Sequence, residues 1–381
     1  MSPSRLSTPL RLGNVHLQHR IAMAPMTRNR ASDSHVPTDM MATYYAQRAS
    51  VRGTLLITEA TFISHSAGGI DNAPGIYNAD QIAAWKKVTD AVHAKGSFIF
   101  CQLWHPGRAA EATAAEREGI RVRGPSAIAI PTLSYSGAAF STPEPLGEGE
   151  IAAIVADYAA AARNAITAGF DGVEIHAANG YLIDQFLQDV SNVRTDRYGG
   201  SVENRSRLAV EVVNAIIADI GADRTAIRLS PWNDFNGMGM ADPVPQFEDL
   251  IVRLRGKGLA YLHLVQWVTF QPGGERDAPP GMEIDFAIDL WESGVVLVAG
   301  RLTAESAKRL VDEKRKGKDV VAVFGRYFTS TPDLPFRVKE GIEFDGFDVG
   351  TFFTPKEEKG YLDQKYSKEF EATYLELGGK R

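Results

Sequence analysis

The residues most able to do chemistry lie in one stretch, GVEIHAANGYLIDQFLQD, which runs from Gly172 to Asp189. The run GVEI is typical of a buried strand and LIDQFLQD of an amphipathic helix, so His176, Asn179 and Tyr181 fall in the turn between them. An imidazole and an amide three positions apart can donate hydrogen bonds to one acceptor oxygen. Taken singly, His176 is more typical of a structural histidine and Tyr181 of a packing residue, so the chemistry depends on the group acting together. No second histidine or carboxylate stands at ligand spacing, and we expect no metal site.

The elements that must position this turn alternate along the chain. Eight short β-rich runs, most of them continuously apolar, are each followed by a helical pattern, as expected for parallel strands covered on both faces. The runs are RIAMAPM (20–26), GTLLITEA (53–60), SFIFCQL (97–103), GVEIHAA (172–178), TAIRLSP (225–231), YLHLVQ (261–266), VVLVAG (295–300) and VVAVFGR (320–326). Helical candidates include 80–96, 150–169 and 304–317, each of which ends at glycine. Eight such units predict an α/β fold, the (β/α)8 TIM barrel.

The remaining length is assigned to three places. These are an N-terminal β-hairpin (LSTPLRLGNVHL, 6–17), a long loop after the third strand (105–147) and the tail after 340. No linker or change of composition interrupts the series, so residues 1–381 are expected to form a single domain. A doubly wound open sheet is the alternative, but it needs a glycine-rich nucleotide-binding turn after its first strand, and APMTRNR is not one.

In a barrel of this kind the site forms where the strands end. The residues at these ends are Pro25, Met26 and Thr27 after the first strand, Glu59 and Ala60 at the second, Gln102 and Trp104 at the third, Arg228 at the fifth, Gly300 and Arg301 after the seventh, and Gly325 and Arg326 after the eighth. The two Gly-Arg pairs lie at the usual phosphate position of the barrel, where backbone N–H groups and a guanidinium can bind an anion. A phosphorylated substrate and a phosphate-bearing cofactor are both compatible with that position.

Several of these positions also have a purely structural interpretation. Cys101 and Gln102 alternate in direction, so one points into the barrel and the other toward the helices, and we interpret Cys101 as a small buried hydrophobe. Gln102, if it points inward, either ties down a loop or contacts a ligand. Arg228 stands in an apolar run, and because an unpaired buried guanidinium is unfavourable it needs an anionic partner from the protein or from a ligand. His105 and His263 are interpreted as structural or solvated.

The composition restricts the class of protein further. A chain of 381 residues with 44% hydrophobic and 23% charged residues has the composition of a globular protein, and its net charge of −6 argues against a nucleic-acid or anionic-membrane partner. A single cysteine excludes an internal disulfide and fits a reducing compartment. No run reaches the roughly 18 apolar residues of a membrane helix, and the N-terminal residues lack the apolar core of a signal peptide. We therefore expect a cytoplasmic protein.

Long blocks of the sequence resemble one known family. HAANGYLIDQFL followed by SNVRTDRYGGSVENRSRLAVEVV is similar to the old yellow enzyme family of flavin-dependent ene reductases. APMTRNR, AGGIDNAPGIY, FCQLWHPGRAA and FGRYFTSTPDLPFRV match further blocks of the family in order. The resemblance extends from about Leu10 to Tyr361, and the sequence is similar to the fungal members.

The resemblance implies a cofactor and a role for each candidate residue. The family binds FMN noncovalently across the barrel mouth. Thr27 would bond the flavin C4 carbonyl, Gln102 would hold the pyrimidine edge, and Arg228 would lie beside N1 and O2, which become anionic on reduction. The other residues implied to contact FMN are Pro25, Met26 and Ala60 along the ring, His176 at the mouth, and Gly300, Arg301, Gly325 and Arg326 at the phosphate. His176 and Asn179 would hold a carbonyl oxygen and Tyr181 would donate a proton, with Trp104 and Phe353 completing the substrate pocket.

Two positions and one loop depart from the family pattern. Many relatives carry a second histidine where this chain has Asn179, and some place a tyrosine where it has Phe353. The loop 266–281 matches the family least and is expected to shape substrate choice.

The implied function is an NAD(P)H oxidoreductase that reduces the C=C bond of a small-molecule α,β-unsaturated aldehyde or ketone, with NADPH as reductant and the protein as a monomer or homodimer. The alternatives are a flavin-free barrel lyase or isomerase acting on a phosphorylated substrate, and a non-enzymatic flavin-binding protein.

Overall fold

The eight apolar runs of the sequence all form strands of one parallel sheet in the computed structural model, which describes residues 4–134, 137–267, 279–292 and 294–376. The strands are β1 (Leu10–Leu12), β2 (Val15–Leu17), β3 (Ile21–Met23), β4 (Leu55–Ile57), β5 (Thr61–Phe62), β6 (Phe98–Trp104), β7 (Arg123–Gly124), β8 (Glu144–Pro145), β9 (Gly172–Ala177), β10 (Thr225–Leu229), β11 (Tyr261–Val265), β12 (Val296–Ala299) and β13 (Val320–Phe324).

Within the described residues, β3, β4, β6 and β9 to β13 lie side by side in parallel register. The pairing of β13 with β3 and of β4 with β6 closes the sheet on itself. This closure confirms the predicted (β/α)8 barrel and excludes the open doubly wound sheet, which would have two free edges. The barrel strands are shorter than the runs of the sequence, and β3 ends at Met23, two residues before Pro25, which has no N–H to donate to a neighbouring strand.

The helices surround the barrel, because each barrel strand turns one set of alternate side chains inward and the other outward. The helices are α1 (Asp39–Arg48), α2 (Ala79–His93), α3 (Ala112–Glu118), α4 (Glu148–Thr167), α5 (Leu182–Leu187), α6 (Val202–Ile220), α7 (Val244–Leu254), α8 (Asp285–Leu290), α9 (Ala304–Arg309), α10 (Arg326–Ser330), α11 (Leu334–Glu340) and α12 (Lys368–Glu376). Cys101 is fully buried in the apolar layer between strands and helices, and burial raises the pKa of its thiol to about 12, so its interpretation as a buried hydrophobe is supported.

The additional segments occupy the predicted places. The hairpin of β1 and β2 pairs Leu12 with Val15, and Asn14 donates its backbone N–H to the carbonyl of Asp223, just before β10 begins. The hairpin therefore covers the N-terminal end of the barrel, opposite the end where the chemistry-bearing residues lie. The loop after β6 carries α3 and the short pair of β7 and β8.

One helix differs from the sequence prediction. The pattern over 304–317 is expected to end at Gly317, but α9 ends at Arg309 and continues as a single wide π-type turn, Leu310–Lys314. The chain leaves this turn at Arg315, two residues before the glycine. In the part of the chain that the structure describes, no helix is long and apolar enough to cross a membrane.

Candidate active site

The strand-end residues of the sequence are brought to one end of the barrel because the strands are parallel. Gln102 lies directly beside Glu174 of the neighbouring strand, and Arg228 lies between His176 on one side and His263 on the other. Side chains in register on adjacent parallel strands point to the same face of the sheet. These five residues therefore form one polar group at the C-terminal end of the barrel interior.

The carboxylate at the centre of this polar group is that of the buried Glu174. Gln102 Nε2 donates to Glu174 Oε1 at 2.7 Å, and His263 Nδ1 lies 2.7 Å from Glu174 Oε2. Burial opposes ionisation of Glu174, but the contacts with His263, the charge of Arg228 and the hydrogen bond from Gln102 outweigh it and hold the pKa of Glu174 below its ordinary value. Because Gln102 uses its N–H group on Glu174, its Oε1 remains as an acceptor.

Arg228 is the buried cation for which the sequence required an anionic partner. Its side chain is only 8% exposed, and its Nε is buried without a hydrogen-bond partner among the described residues. Burial lowers the pKa of Arg228, whereas the negative charge of Glu174 opposes that shift. Glu174 therefore supplies part of the compensating charge, and the orphaned Nε is available to a bound acceptor.

His176 is a neutral hydrogen-bond donor in this setting. Burial, and then the charges of Arg228 and His263, hold its pKa well below the ordinary histidine value. The backbone N–H of Ala178 points at His176 Nδ1 across a long contact of 3.4 Å, which favours the tautomer with the proton on Nε2. A neutral imidazole of this kind presents one N–H group.

Asn179 is fixed by the segment that follows β10. It adopts a left-handed backbone conformation with φ of 57°, and its N–H donates to Ser230 Oγ at 2.8 Å. Asn236 Nδ2 donates to the carbonyl of Asn179 at 3.0 Å. The next residue must be glycine, because a Cβ on Gly180 would lie 2.6 Å from the Cβ of Asn236. The segment after β10 therefore packs closely against the turn after β9, with Gly180 directly against the Asn236 side chain.

Tyr181 stands between the two aromatic side chains of the mouth. Its ring packs edge-to-face on His176, with centroids 4.8 Å apart, and on Trp104, with centroids 4.9 Å apart. Trp104 belongs to a small apolar cluster with Ala60 and Phe62, against which the partly buried Tyr181 packs. The predicted residues Trp104 on β6, His176 on β9 and Ala60 after β4 therefore lie together near the phenol of Tyr181.

The predicted anion-binding residues follow β12 and β13. Gly300 has a φ of 142°, and a Cβ there would lie 2.7 Å from the Cβ of Gln266, so a larger residue would displace Gln266, which directly follows β11. Arg301 also has a positive φ, of 51°. At the neighbouring strand end, a Cβ on Gly325 would lie 3.4 Å from Met26 Sδ, and the Arg326 guanidinium lies 5.0 Å from the centre of the Phe347 ring.

The remaining predicted residues lie on the loop after β3 and on the C-terminal segment. Pro25 is buried, and Met26 and Thr27 are half-buried. Arg28 Nε and Arg30 Nη1 both donate to the carbonyl of Phe352, at 3.0 and 2.8 Å. These bonds bring the adjacent Phe353, which is 38% exposed, to the loop that carries Thr27. The less family-like loop 266–281 lies largely outside the described residues.

Two functional candidates are absent from the sequence prediction. Glu174 lies inside the stretch GVEIH. An acidic residue within a buried strand requires a partner, and that requirement could have indicated its role. Asn233 contacts the side chain of Asn179, and no pattern in the sequence indicates that contact. His263, interpreted as structural or solvated, is fully buried against Glu174.

The sequence also matches a known protein family. The sequence profile described as the NADH:flavin oxidoreductase / NADH oxidase family matches residues 5–345. The chain therefore belongs to this family, and it is an FMN-dependent oxidoreductase of the old yellow enzyme type.

Individual relatives agree over nearly the full length. Chanoclavine-I aldehyde reductase fgaOx3 of Penicillium roqueforti (strain FM164) is 54% identical over 97% of this chain and 98% of its own length. A protein named "Probable inactive reductase easA", from Epichloe festucae var. lolii, is 46% identical over 97% of each chain. The solved structure of the old yellow enzyme homologue from Zymomonas mobilis superposes with a TM-score of 0.87 at 40% identity, covering 95% of this chain and 99% of that one. Because several relatives are named as inactive, the case for catalysis rests on the residues of this chain.

Proposed function

We propose that this protein is a single-domain ene reductase that uses NADPH to reduce the C=C bond of α,β-unsaturated aldehydes or ketones. The observation that carries the proposal is the group formed by His176, Asn179 and Tyr181. Two neutral N–H donors and one phenol lie on a single strand end, beside the cation Arg228. The name of the Penicillium roqueforti relative, an aldehyde reductase, supports a carbonyl substrate.

The described residues fit FMN. Arg228 Nε is a buried donor without a partner, and Gln102 Oε1 is an acceptor whose amide is held by Glu174. Such a donor and acceptor match the pyrimidine edge of an isoalloxazine, which has carbonyl acceptors beside an N–H donor. The residues that would hold FMN are Arg228 and Gln102 at this edge, Pro25, Met26, Thr27, Ala60 and His176 around the ring, and Gly300, Arg301, Gly325 and Arg326 at the phosphate. The chemistry that FMN supplies when bound is hydride transfer between a nicotinamide and the substrate β-carbon.

The protein side chains stabilise the charge that this transfer creates on the substrate. Negative charge develops on the carbonyl oxygen as hydride reaches the β-carbon. His176 and Asn179 would donate hydrogen bonds to that oxygen, and donors that are already in place need no reorganisation, an effect of about 3 kcal/mol per donor in well-studied sites. Tyr181 would then give its proton to the α-carbon, with Trp104 and Phe353 bounding the substrate pocket.

The oxygen contact is tested with simple phenols, which present a phenolate oxygen to both donors. We expect His176→Ala and Asn179→Ala each to weaken phenol binding by on the order of 10- to 100-fold, because each variant removes one hydrogen bond to a charged acceptor. The measurement is titration of the purified, FMN-loaded protein, followed by the shift of its flavin absorbance. Arg11→Ala, on the hairpin at the opposite end of the barrel, is the control and should bind phenol as the wild type does. Wild-type titration curves in both His176→Ala and Asn179→Ala would remove these residues from the oxygen site.

The two alternative functions give different results with the unmodified protein. A flavin-free lyase would purify as a folded, colourless protein. A flavin-binding protein without enzymatic activity would be yellow but would keep its absorbance when NADPH is added without oxygen. The proposal requires a yellow protein that NADPH bleaches and an unsaturated aldehyde recolours.

A further inference from the structure

A buried asparagine behind Asn179 determines which atom of that side chain faces the mouth. Asn233, in the segment after β10, is 1% exposed. Its Nδ2 donates to Asn179 Oδ1 at 2.7 Å, and its own Oδ1 accepts the backbone N–H of Phe235 at 2.9 Å. Asn233 is thus bonded at both ends of its amide.

The polarity of this chain of hydrogen bonds follows from its first member. A backbone N–H can only donate, so the atom of Asn233 that faces Phe235 must be the oxygen. The other end of the amide, its NH2 group, then points at Asn179 and requires an acceptor there. The oxygen of Asn179 is therefore turned toward Asn233, and its Nδ2 is left to donate elsewhere.

We propose that Asn233 is a positioning residue that holds the Asn179 amide with its N–H group toward the substrate oxygen. The inference rests on the proposed function, because it assumes that Asn179 binds that oxygen. An asparagine amide turned by 180° would present its own oxygen to the carbonyl, and the site would repel the charge that it has to stabilise. The hydrogen bond from Asn233 excludes that orientation.

Two substitutions of Asn233 distinguish the direction of its hydrogen bond to Asn179 from the simple presence of a contact. In Asn233→Asp the introduced carboxylate still accepts from the N–H of Phe235 but has no N–H for Asn179. The Asn179 amide then satisfies the carboxylate by turning its Nδ2 inward, which leaves its oxygen facing the mouth. In Asn233→Ala no hydrogen bond from residue 233 fixes the amide of Asn179. The amide can then turn so that its Nδ2 donates to a ligand oxygen.

The measurement is phenol titration of the FMN-loaded variants, followed by the flavin absorbance shift. We expect Asn233→Asp to raise the phenol dissociation constant on the order of 10- to 100-fold, and Asn233→Ala to raise it less than about threefold. The FMN dissociation constant should be unchanged in both, because Asn233 is not among the residues that would hold FMN. Equal weakening in the two variants would mean that Asn233 only supports the loop, and unchanged phenol binding in Asn233→Asp would overturn the proposal.

Repulsion between the new carboxylate and a phenolate is tested with an uncharged acceptor. Cyclohexanone presents a neutral carbonyl oxygen, and its inhibition constant should rise in Asn233→Asp if the amide has turned. An unchanged constant for cyclohexanone together with weakened phenol binding would indicate charge repulsion alone and contradict the proposal.

Asn179→Ala distinguishes failure of this inference from failure of the proposed function. Weak phenol binding in Asn179→Ala with wild-type binding in Asn233→Asp would reject the role of Asn233 and leave the oxygen contact intact. Wild-type binding in Asn179→Ala would reject the oxygen contact itself and the role of Asn233 with it.

Discussion

Among single residues, His176 and Tyr181 have different proton chemistry in the proposed reaction. His176 is kept neutral by burial and by the charge of Arg228, so it serves as a hydrogen-bond donor and not as an acid at neutral pH. Tyr181 is half-buried between His176 and Trp104, and its phenol is the proton donor in the proposed reaction.

Tyr181→Phe should therefore separate the two halves of the catalytic cycle. Oxidation of NADPH delivers a hydride and needs no phenolic proton, so anaerobic bleaching of the flavin by NADPH should stay close to the wild-type rate. Reduction of an unsaturated aldehyde requires protonation at the α-carbon and should slow by about 10²- to 10⁴-fold. Stopped-flow absorbance measures both rates. Equal slowing of the two steps would identify Tyr181 as a packing residue.

Tyr77→Phe is the matched control for this experiment. Tyr77 packs against the same apolar cluster as Tyr181 but has no role in the proposed reaction. In Tyr77→Phe both rates should remain within about twofold of wild type. An equal loss of rate in Tyr77→Phe and Tyr181→Phe would instead point to a packing effect on the cluster.

At the scale of elements, the polar group inside the barrel connects three strands that are far apart in sequence. Glu174 on β9 accepts hydrogen bonds from Gln102 on β6 and His263 on β11. All three side chains are essentially inaccessible to solvent. The carboxylate therefore satisfies two buried donors and at the same time compensates the charge of Arg228.

Glu174→Ala should destabilise the protein strongly, because it leaves the donors of Gln102 and His263 unpaired and Arg228 uncompensated. We expect a loss of about 3–5 kcal/mol in the free energy of unfolding, as for other broken buried ion pairs. Asp90→Ala, which breaks the exposed pair with Lys86 on α2, should cost less than about 1 kcal/mol. Urea denaturation of both variants gives the comparison, and similar losses would show that the Glu174 contacts add little to stability.

Buried carboxyl groups make the stability of the folded protein depend on pH. Asp184 on α5 is fully buried, where it accepts from the backbone N–H of Gly180 at 2.8 Å and from Gln188 Nε2 at 2.9 Å. Burial raises the pKa of Asp184 to about 7. A carboxyl whose pKa is raised by folding contributes stability below its unfolded-state pKa and loses that contribution as the pH rises through about 7.

Asp184→Asn should remove this contribution, because the amide keeps an acceptor for Gly180 and does not ionise. Relative to wild type, the variant should be more stable at pH 8 than at pH 5, by on the order of 2 kcal/mol. Urea denaturation at the two pH values measures the difference. Asp189→Asn, at a solvent-exposed position just beyond α5, controls for the loss of one charge. A constant difference between variant and wild type across the pH range would show that Asp184 ionises normally in the folded protein.

The barrel is predictable from the sequence alone, because local residue patterns carry the information. Eight apolar runs mark strands that are buried on both faces, and the residues that follow each run reach the same end of a parallel barrel. For this reason the sequence alone predicts that His176, Asn179, Tyr181 and Arg228 lie at one end of the barrel.

The contacts that hold those residues are visible only in the folded structure. Glu174 and His263 are 89 positions apart, and Arg28 reaches a carbonyl 324 positions away on the C-terminal segment. The orientation of the Asn179 amide depends on Asn233, 54 residues further along the chain. Hydrogen-bond partners and their polarity are properties of atoms that meet in space, and a pattern of residue types along the chain does not specify which donor meets which acceptor.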